Sequence, residues 1–599
     1  MTKSKQFLAR RDFLKLVAAL GGAALACGRG QPLLELTATP GPTATPGPTV
    51  TPGPTATPRT MPTLPSGSAA DTIFYNGRVV TIDSANTIAQ AIAISGSRIL
   101  QTGTGADVQA LAGPQTHMVD LRGRTLTPGF VDAHNHLSAM GLTGTAYIDI
   151  NPPEVKTITD LQARIAAGCA RTPPGKWVIA QGYIAFEGRY PDKYDLDPVS
   201  PEHPVMLINQ GGHMGAVNSY ALNLAGVTAA TPNPRFGLIV RDDQGDPTGA
   251  LVNHAAMDVF RRLWTEEVLT QDIMEQATIT PQAKFAAVGV TSFGDVNARG
   301  VNKMQAYFDV ARRGEMTIRG YILNTIEYYQ ELAGRAEEIE ALRYEDETLR
   351  FGGFKFLVDG AAAAAYTHEP HTGLAWNLAT WDAGQLKEAV SALHAAGYQC
   401  AFHVVGDAAV DLALDAIEYA MNKAPRPAPR HRLEHAVLNT DAALERTRDL
   451  GVVVSTQPHA IRLLGDSLRE MWGEERAARI VPTRTWLDMG VPLSLSSDAP
   501  TMPWWQPQFI LAAALARVTA SNVVIGPEQC LTIEEAMRAY TMGGAYADFE
   551  EDVKGSLEPG KLADLIVWTE DPYTLKPKDL VQATVDLTMV GGKVVYERA

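Results

Sequence analysis

Two histidines one residue apart, His134 and His136, follow a short apolar run, Phe130-Val-Asp-Ala. On an extended strand, side chains two apart point the same way, so this pair can converge on one point. Neutral imidazole is the commonest metal ligand, and a strand end is a stiff mount for it. Further along, single polar residues end or interrupt other apolar runs. Lys355 sits inside Phe354-Lys-Phe-Leu-Val, His403 closes Ala401-Phe-His, His435 closes Leu433-Glu-His, and Asp498 closes Leu495-Ser-Ser-Asp. Each has a bland reading: a core lysine reaching solvent, a buried histidine bonded to backbone, an aspartate capping a helix. Taken in order with the His-x-His pair, they make a set of nitrogen and oxygen groups capable of holding a divalent metal.

Such a set needs a scaffold that brings many strand ends together. From residue 289 onward, apolar strands alternate with amphipathic helical runs such as 382–396 and 407–423, the pattern of βα units and a parallel sheet. Counting the strand before His134 gives about eight, with polar residues collecting at the strand C-termini. That predicts a (β/α)8 TIM barrel with its site on the C-terminal face. Between His136 and Gly289 there is more chain than one βα unit needs, so an inserted lobe is expected at about 145–285, covering the site. Both ends of the folded chain are β-rich. Residues 70–126 and 553–599 are expected to form one small composite β-sandwich, with a hairpin turn at Asn76-Gly77, around a barrel domain of 127–552.

The first 69 residues read differently. Arg10-Arg11-Asp-Phe-Leu-Lys precedes a short apolar stretch ending at Cys27, and is similar to a twin-arginine export signal. Ala24-Leu25-Ala26-Cys27 resembles a relaxed lipoprotein box, which implies a lipid anchor on Cys27 and a location on the outer side of a membrane. It departs from that pattern at Ala24, where leucine is usual. Residues 28–69 are a Thr/Pro-rich linker, whose proline density favours an extended spacer. A net charge of −15 argues against a nucleic-acid surface. The four cysteines, Cys27, Cys169, Cys400 and Cys530, lack the spacing of a zinc ribbon or disulfide framework.

The motifs resemble the metal-dependent amidohydrolase superfamily, and within it the amidohydrolase-3 (YtcJ-like) branch. The matches run from Thr127-Pro-Gly-Phe-Val-Asp-Ala-His-Asn-His through Gly212-His213, Lys355 with Asp359-Gly360, His403-Val-Val-Gly-Asp407, Glu434-His435 and Ser496-Ser-Asp-Ala-Pro500 to Gly555-Ser-Leu-Glu-Pro-Gly-Lys561. The resemblance implies that His134, His136 and Asp498 hold one divalent metal, zinc first among the options. It implies that His403 and His435 hold a second, bridged by Lys355 if that lysine is carboxylated. Asp498 would act as the proton carrier on an attacking water. Glu434 is expected to orient its neighbour His435, and His213 and His459 are candidates to face a small-molecule substrate. Trp504-Trp505 would form an aromatic wall or pack their loop. The run 361–365 is all alanine where the family has small polar residues, which implies a less polar lining. The implied activity is hydrolysis of non-peptide C–N bonds in an amide, formamide or cyclic amide. The alternatives are hydrolysis of another bond, such as an ester, and a non-catalytic binding protein on the same fold.

Overall fold

The computed structural model describes residues 69–599 apart from 184, 185, 187, 188, 327–344, 371–376 and 378. The export-signal, Cys27 and linker expectations therefore lie outside the described residues, apart from Ala69.

Eight strands form one sheet in chain order: β1 (Phe130–Asn135), β2 (Val290–Asp295), β3 (Arg319–Ile326), β4 (Leu349–Leu357), β5 (Gln399–Val404), β6 (Arg432–His435), β7 (Val453–Thr456) and β8 (Leu493–Leu495). Each adjacent pair from β1 to β8 is parallel. The seam between β8 and β1 is joined just past their ends. Asp498 N–H donates to the His134 carbonyl at 2.8 Å, and His136 N–H donates to the Ala499 carbonyl at 2.7 Å. Below them, the Asp132 carboxylate accepts from Ser497 N–H at 2.8 Å across a gap of 365 residues. The result is the expected TIM barrel.

Alternation along β4 explains a lysine among phenylalanines. Phe354 and Phe356 face outward, meeting Tyr398 at 5.0 Å and Trp381 at 5.3 Å between ring centroids. Lys355, on the opposite side of the strand, is turned into the barrel and is 2% exposed. Helices cover the outer face, with ends set by capping. Asp382 accepts from Gly384 and Gln385 at the start of Ala383–Ala395, and Thr440 accepts from Ala443 at the start of Asp441–Asp449.

Two further sheets draw on both ends of the folded chain. One holds Arg98–Gly103, Ala91–Ser95, Ala70–Tyr75 and Ala112–Asp120. The other sets Thr125–Pro128, Arg78–Val80 and Ile88–Ala89 beside the C-terminal strands Leu565–Trp568, Val585–Val590 and Lys593–Glu597. Their shared core includes Phe74, Ile92, Leu126, Leu565 and Met589. The Asn76-Gly77 turn is not a hairpin. The strand before it pairs in the first sheet and the strand after it in the second. A Cβ on Gly77 would collide with Leu121, so glycine here serves the close packing of a sheet-to-sheet crossover.

The chain between β1 and β2 builds a six-stranded sheet of its own, from Ile148–Asp149 to Pro247–Val252, and a helix, His254–Arg261. This lobe has separate apolar clusters around Trp177, Met206 and Phe260 and around Ile165, Val178 and Leu207.

Candidate metal centre

His134 leaves β1 pointing across the barrel, where its Nδ1 lies 2.5 Å from Glu434 Oε2. A carboxylate can only accept, so Nδ1 carries the proton and Nε2 carries a lone pair. That lone pair faces Asp498 Oδ1 at 3.4 Å, and His136 Nε2 reaches the same oxygen at 2.9 Å. Donor atoms of His134, His136 and Asp498 all fall within 4.8 Å of one another. Asp498 Oδ1 is buried and lacks a hydrogen-bond partner of good geometry. An imidazole lone pair aimed at a carboxylate oxygen is repulsive unless a cation lies between them. The three residues therefore fit a metal ion, which would take the His134 lone pair, Asp498 and His136 as ligands.

The charges behind the cluster are balanced. Burial would push the Glu434 carboxyl pKa up, but Arg432, His134 and Lys355 outweigh it and hold the pKa below its ordinary value. Arg432 is wholly buried. Its Nε lies 2.7 Å from Glu434 Oε1, and it donates to the Ala133 carbonyl at 2.8 Å. Burial likewise opposes ionisation of Asp498, and the two imidazoles beside it, His134 and His136, reverse this and keep the pKa well below normal. Burial lowers the Lys355 pKa to about 8, with Glu434 and Asp498 acting against that fall.

His435 and His403 stand beside this cluster. The His435 ring is 4.7 Å from that of His134 and 4.5 Å from that of His403. His435 Nδ1–H donates to Gln457 Oε1 at 2.7 Å, leaving Nε2 with the lone pair. Burial pushes the His435 pKa down to about 3 and that of His403 well below normal, so both rings are neutral, as metal ligation requires. Glu434 therefore orients His134, while Gln457 orients His435. The expectation that Glu434 orients its sequence neighbour fails because Arg432 and Glu434 share the inward side of β6, and His435 reaches the site only through a left-handed turn at φ +70°. Asp498 takes a similar backbone, φ +53°. Non-glycine residues in that region are uncommon, and both sit at the centre.

His213 reaches in from the lobe. Its ring lies 5.3 Å from His403 and 5.1 Å from His254, with Nδ1 buried and unpartnered. His459, after β7, is 2% exposed, and neither ring nitrogen has a partner of good geometry. Burial lowers both pKa values to about 4. The aromatic pair divides. Trp505 packs on Phe285 at 5.1 Å, and Trp504 is 37% exposed, with the Arg462 guanidinium 5.4 Å from its ring. Two buried carboxylates were not singled out from the sequence. Asp132 braces the seam through Ser497, with its pKa raised to about 7 by burial. Asp295 ends β2, where Tyr307 donates to it at 2.5 Å and Ser138 at 3.0 Å. The signal for Asp295 was the one that found Asp498, a carboxylate closing an apolar strand.

Residues 117–596 match the model described as the amidohydrolase family. The chain is 32% identical to an N-substituted formamide deformylase of Arthrobacter pascens, over 88% of this chain and 98% of that one. It is 28% identical to a putative amidohydrolase, YtcJ, of Bacillus subtilis, over 88% and 99%. An uncharacterized metal-dependent hydrolase from Pyrococcus horikoshii superposes with a TM-score of 0.68 at 25% identity, covering 85% of this chain and 99% of that one. The chain belongs to the amidohydrolase family.

Proposed function

We propose that this protein is a metal-dependent hydrolase of C–N bonds outside peptides, acting on a small amide, formamide or cyclic amide. The observation that carries this reading is the meeting of the His134 lone pair, His136 Nε2 and the Asp498 carboxylate at one buried point. The printed name of the deformylase relative supports the choice of bond. Zinc suits a set of neutral imidazoles and a carboxylate. His403 and His435 would hold a second ion, and Lys355, as a carbamate, would join the two. Burial lowers the Lys355 pKa to about 8, which supports this by supplying the neutral amine that adds carbon dioxide.

Held by His134, His136 and Asp498, a divalent metal would lower the pKa of a water toward about 7 and polarise a carbonyl. The chain's own groups do the rest. Asp498 holds the attacking water, takes its proton and delivers it to the departing nitrogen. His213 and His459 supply hydrogen bonds to the substrate, and Glu434 and Gln457 keep His134 and His435 in the tautomers that leave their lone pairs inward.

The leader and linker support export by the twin-arginine route, with the enzyme held outside a membrane by lipid on Cys27 and spaced from it by residues 28–69. Replacing Cys27 by serine should release the enzyme from the membrane fraction. Continued membrane association would remove the lipid assignment.

The test of the reaction is elemental analysis of the purified protein, beside assays on amides, formamides, cyclic amides and esters, before and after chelation. Bound metal with turnover of a C–N substrate, lost on chelation and restored by zinc with bicarbonate, is the expected result. Turnover confined to esters would change the bond. A folded protein that takes up no metal would leave only a binding role.

A further inference from the structure

The imidazoles of the centre are not held alike. His134 and His435 each have Nδ1 engaged, by Glu434 and by Gln457. His136 does not. Its Nε2 lies 2.9 Å from Asp498 Oδ1, while its Nδ1 is buried without a partner of good geometry. A ring that gives Nε2 to a cation keeps its proton on Nδ1, and a buried N–H with no acceptor is costly. The orientation of this ring must therefore be secured by other means.

The end of β2 supplies those means. Asp295 stands opposite Asn135 in the pairing of β2 with β1, and Val296 N–H donates to the Asn135 carbonyl at 3.2 Å. Asp295 therefore lies beside the residue that precedes His136. It shares a side of β2 with Phe293, whose ring is 5.9 Å from that of Tyr307 on the outer helix Val301–Arg312. The carboxylate thus sits behind the barrel wall, and it is not among the donors that converge on the candidate ion. Its Oδ2 accepts from the Tyr307 hydroxyl at 2.5 Å and the Ser138 hydroxyl at 3.0 Å, and faces Lys303 Nζ at 3.4 Å. Its Oδ1 accepts from Asn297 N–H at 2.9 Å. Ser138 N–H donates to the Tyr307 oxygen at 3.2 Å. Ser138 follows His136 by two residues, so the turn that leaves the ring is tied down from behind.

The carboxylate is also charged, although it is wholly buried. Burial would raise its pKa, and the charges of Lys303 and His136 with the Tyr307 hydroxyl outweigh that and hold it below the ordinary value. Burial lowers the His136 pKa, and the charges of Asp498 and Asp295 act against that fall. Attraction between the two groups is poorly screened in such a place. A knot serving only to join β2 to its helices would gain nothing from acting on the ring.

We propose that Asp295 is the positioning residue for His136, fixing through Ser138 the turn that aims the ring and placing behind it a negative charge that strengthens its hold on a cation. The proposal rests on the metal reading of the centre and is independent of the bond cleaved. Zinc affinity of the full chain is measured by chelator competition, beside thermal melts of the metal-free protein. Asp295→Asn keeps the size of the side chain, removes its charge and should weaken zinc binding by about 10- to 100-fold. Tyr307→Phe removes one donor but leaves the carboxylate and its bond to Ser138, so it should lower the Tm with zinc affinity within about twofold of wild type. In a His136→Ala background, Asp295→Asn should cost less than about threefold further, because the ring through which it acts is gone. Ser138→Ala cuts the link and leaves the charge, should weaken zinc binding by about tenfold, and serves if Asp295→Asn does not fold. Zinc affinity of Asp295→Asn or Ser138→Ala within about twofold of wild type would overturn the positioning role. So would equal losses in Asp295→Asn and Tyr307→Phe, or an undiminished loss in the His136→Ala background. A wild type that binds no zinc would remove the metal reading itself, and this proposal with it.

Discussion

His431 precedes β6 and His435 ends it, and the protein uses them in opposite ways. At the N-terminal end, every ring nitrogen is committed. Cys400 N–H donates to His431 Nδ1 at 3.0 Å, so His431 Nε2–H donates to His394 Nδ1 at 2.8 Å, and His394 Nε2–H donates to the Ala424 carbonyl at 2.8 Å. At the C-terminal end, Gln457 takes one nitrogen of His435 and leaves the other bare. A histidine closed on both sides is structure. One closed on a single side, among others like it, is a site waiting for a partner that the chain does not supply.

The largest effect that would sharpen this contrast comes from Asp498→Asn. It removes the anion that meets both His134 and His136, and turnover should fall by about 10³-fold or more, with metal content falling alongside. Retained turnover in steady-state assays would place the proton carrier elsewhere. Next come the braces behind the ligands. Glu434→Gln should weaken metal affinity by about 10- to 100-fold and lower the Tm, because buried Arg432 keeps only Asp548 of its two carboxylate partners. Gln457→Leu, which removes a neutral brace, should cost less on both counts. Chelator competition and thermal melts compare the two, and equal losses would erase the distinction between a charged and a neutral brace.

The unbraced rings should behave differently again. His213→Asn and His459→Asn should each raise KM by about tenfold, with metal content unchanged by elemental analysis. A loss of metal would make them ligands rather than substrate contacts. The smallest effect belongs to the closed pair. Burial depresses the pKa of His431 and His394, so the unfolded chain binds their protons first. Their contribution to stability is therefore complete above the unfolded value of about 6.5 and is lost as pH falls from there toward the depressed folded values, by up to about 1.4 kcal/mol per pH unit for each ring. Wild-type Tm should drop from pH 7 to pH 5, and His394→Gln should flatten part of that slope. An unchanged slope would show that the pair is not what titrates.

Much of the barrel was legible because a buried parallel strand must be an apolar run, and several polar residues at or near such strands' C-terminal ends, taken together, stand out against it. That logic found His403, His435, Lys355 and Asp498 without any knowledge of which strands pair. What it could not find was who faces whom across the interior. Glu434 touches His134 because β6 and β1 lie across from one another, a fact of closure rather than of local pattern, so sequence adjacency misassigned it to His435. The crossover at Asn76-Gly77 was misread for the same reason. An Asn-Gly pair specifies a tight turn, and only Leu121, packed against Gly77 from another strand, determines that the turn joins two sheets.

The seam of the barrel bears on how the molecule comes to exist. The backbone bonds that close it, from Asp498 to His134 and from His136 to Ala499, run through the candidate metal-binding residues themselves. Residues so distant along the chain meet late in folding, after the intervening strands have paired. An open seam would separate His134 and His136 from Asp498, so the cluster that could hold an ion exists only in the closed barrel. Metal binding in turn favours the closed state by mass action. A metal ion would act as the clasp on the finished ring, and an unclosed chain would remain chemically inert.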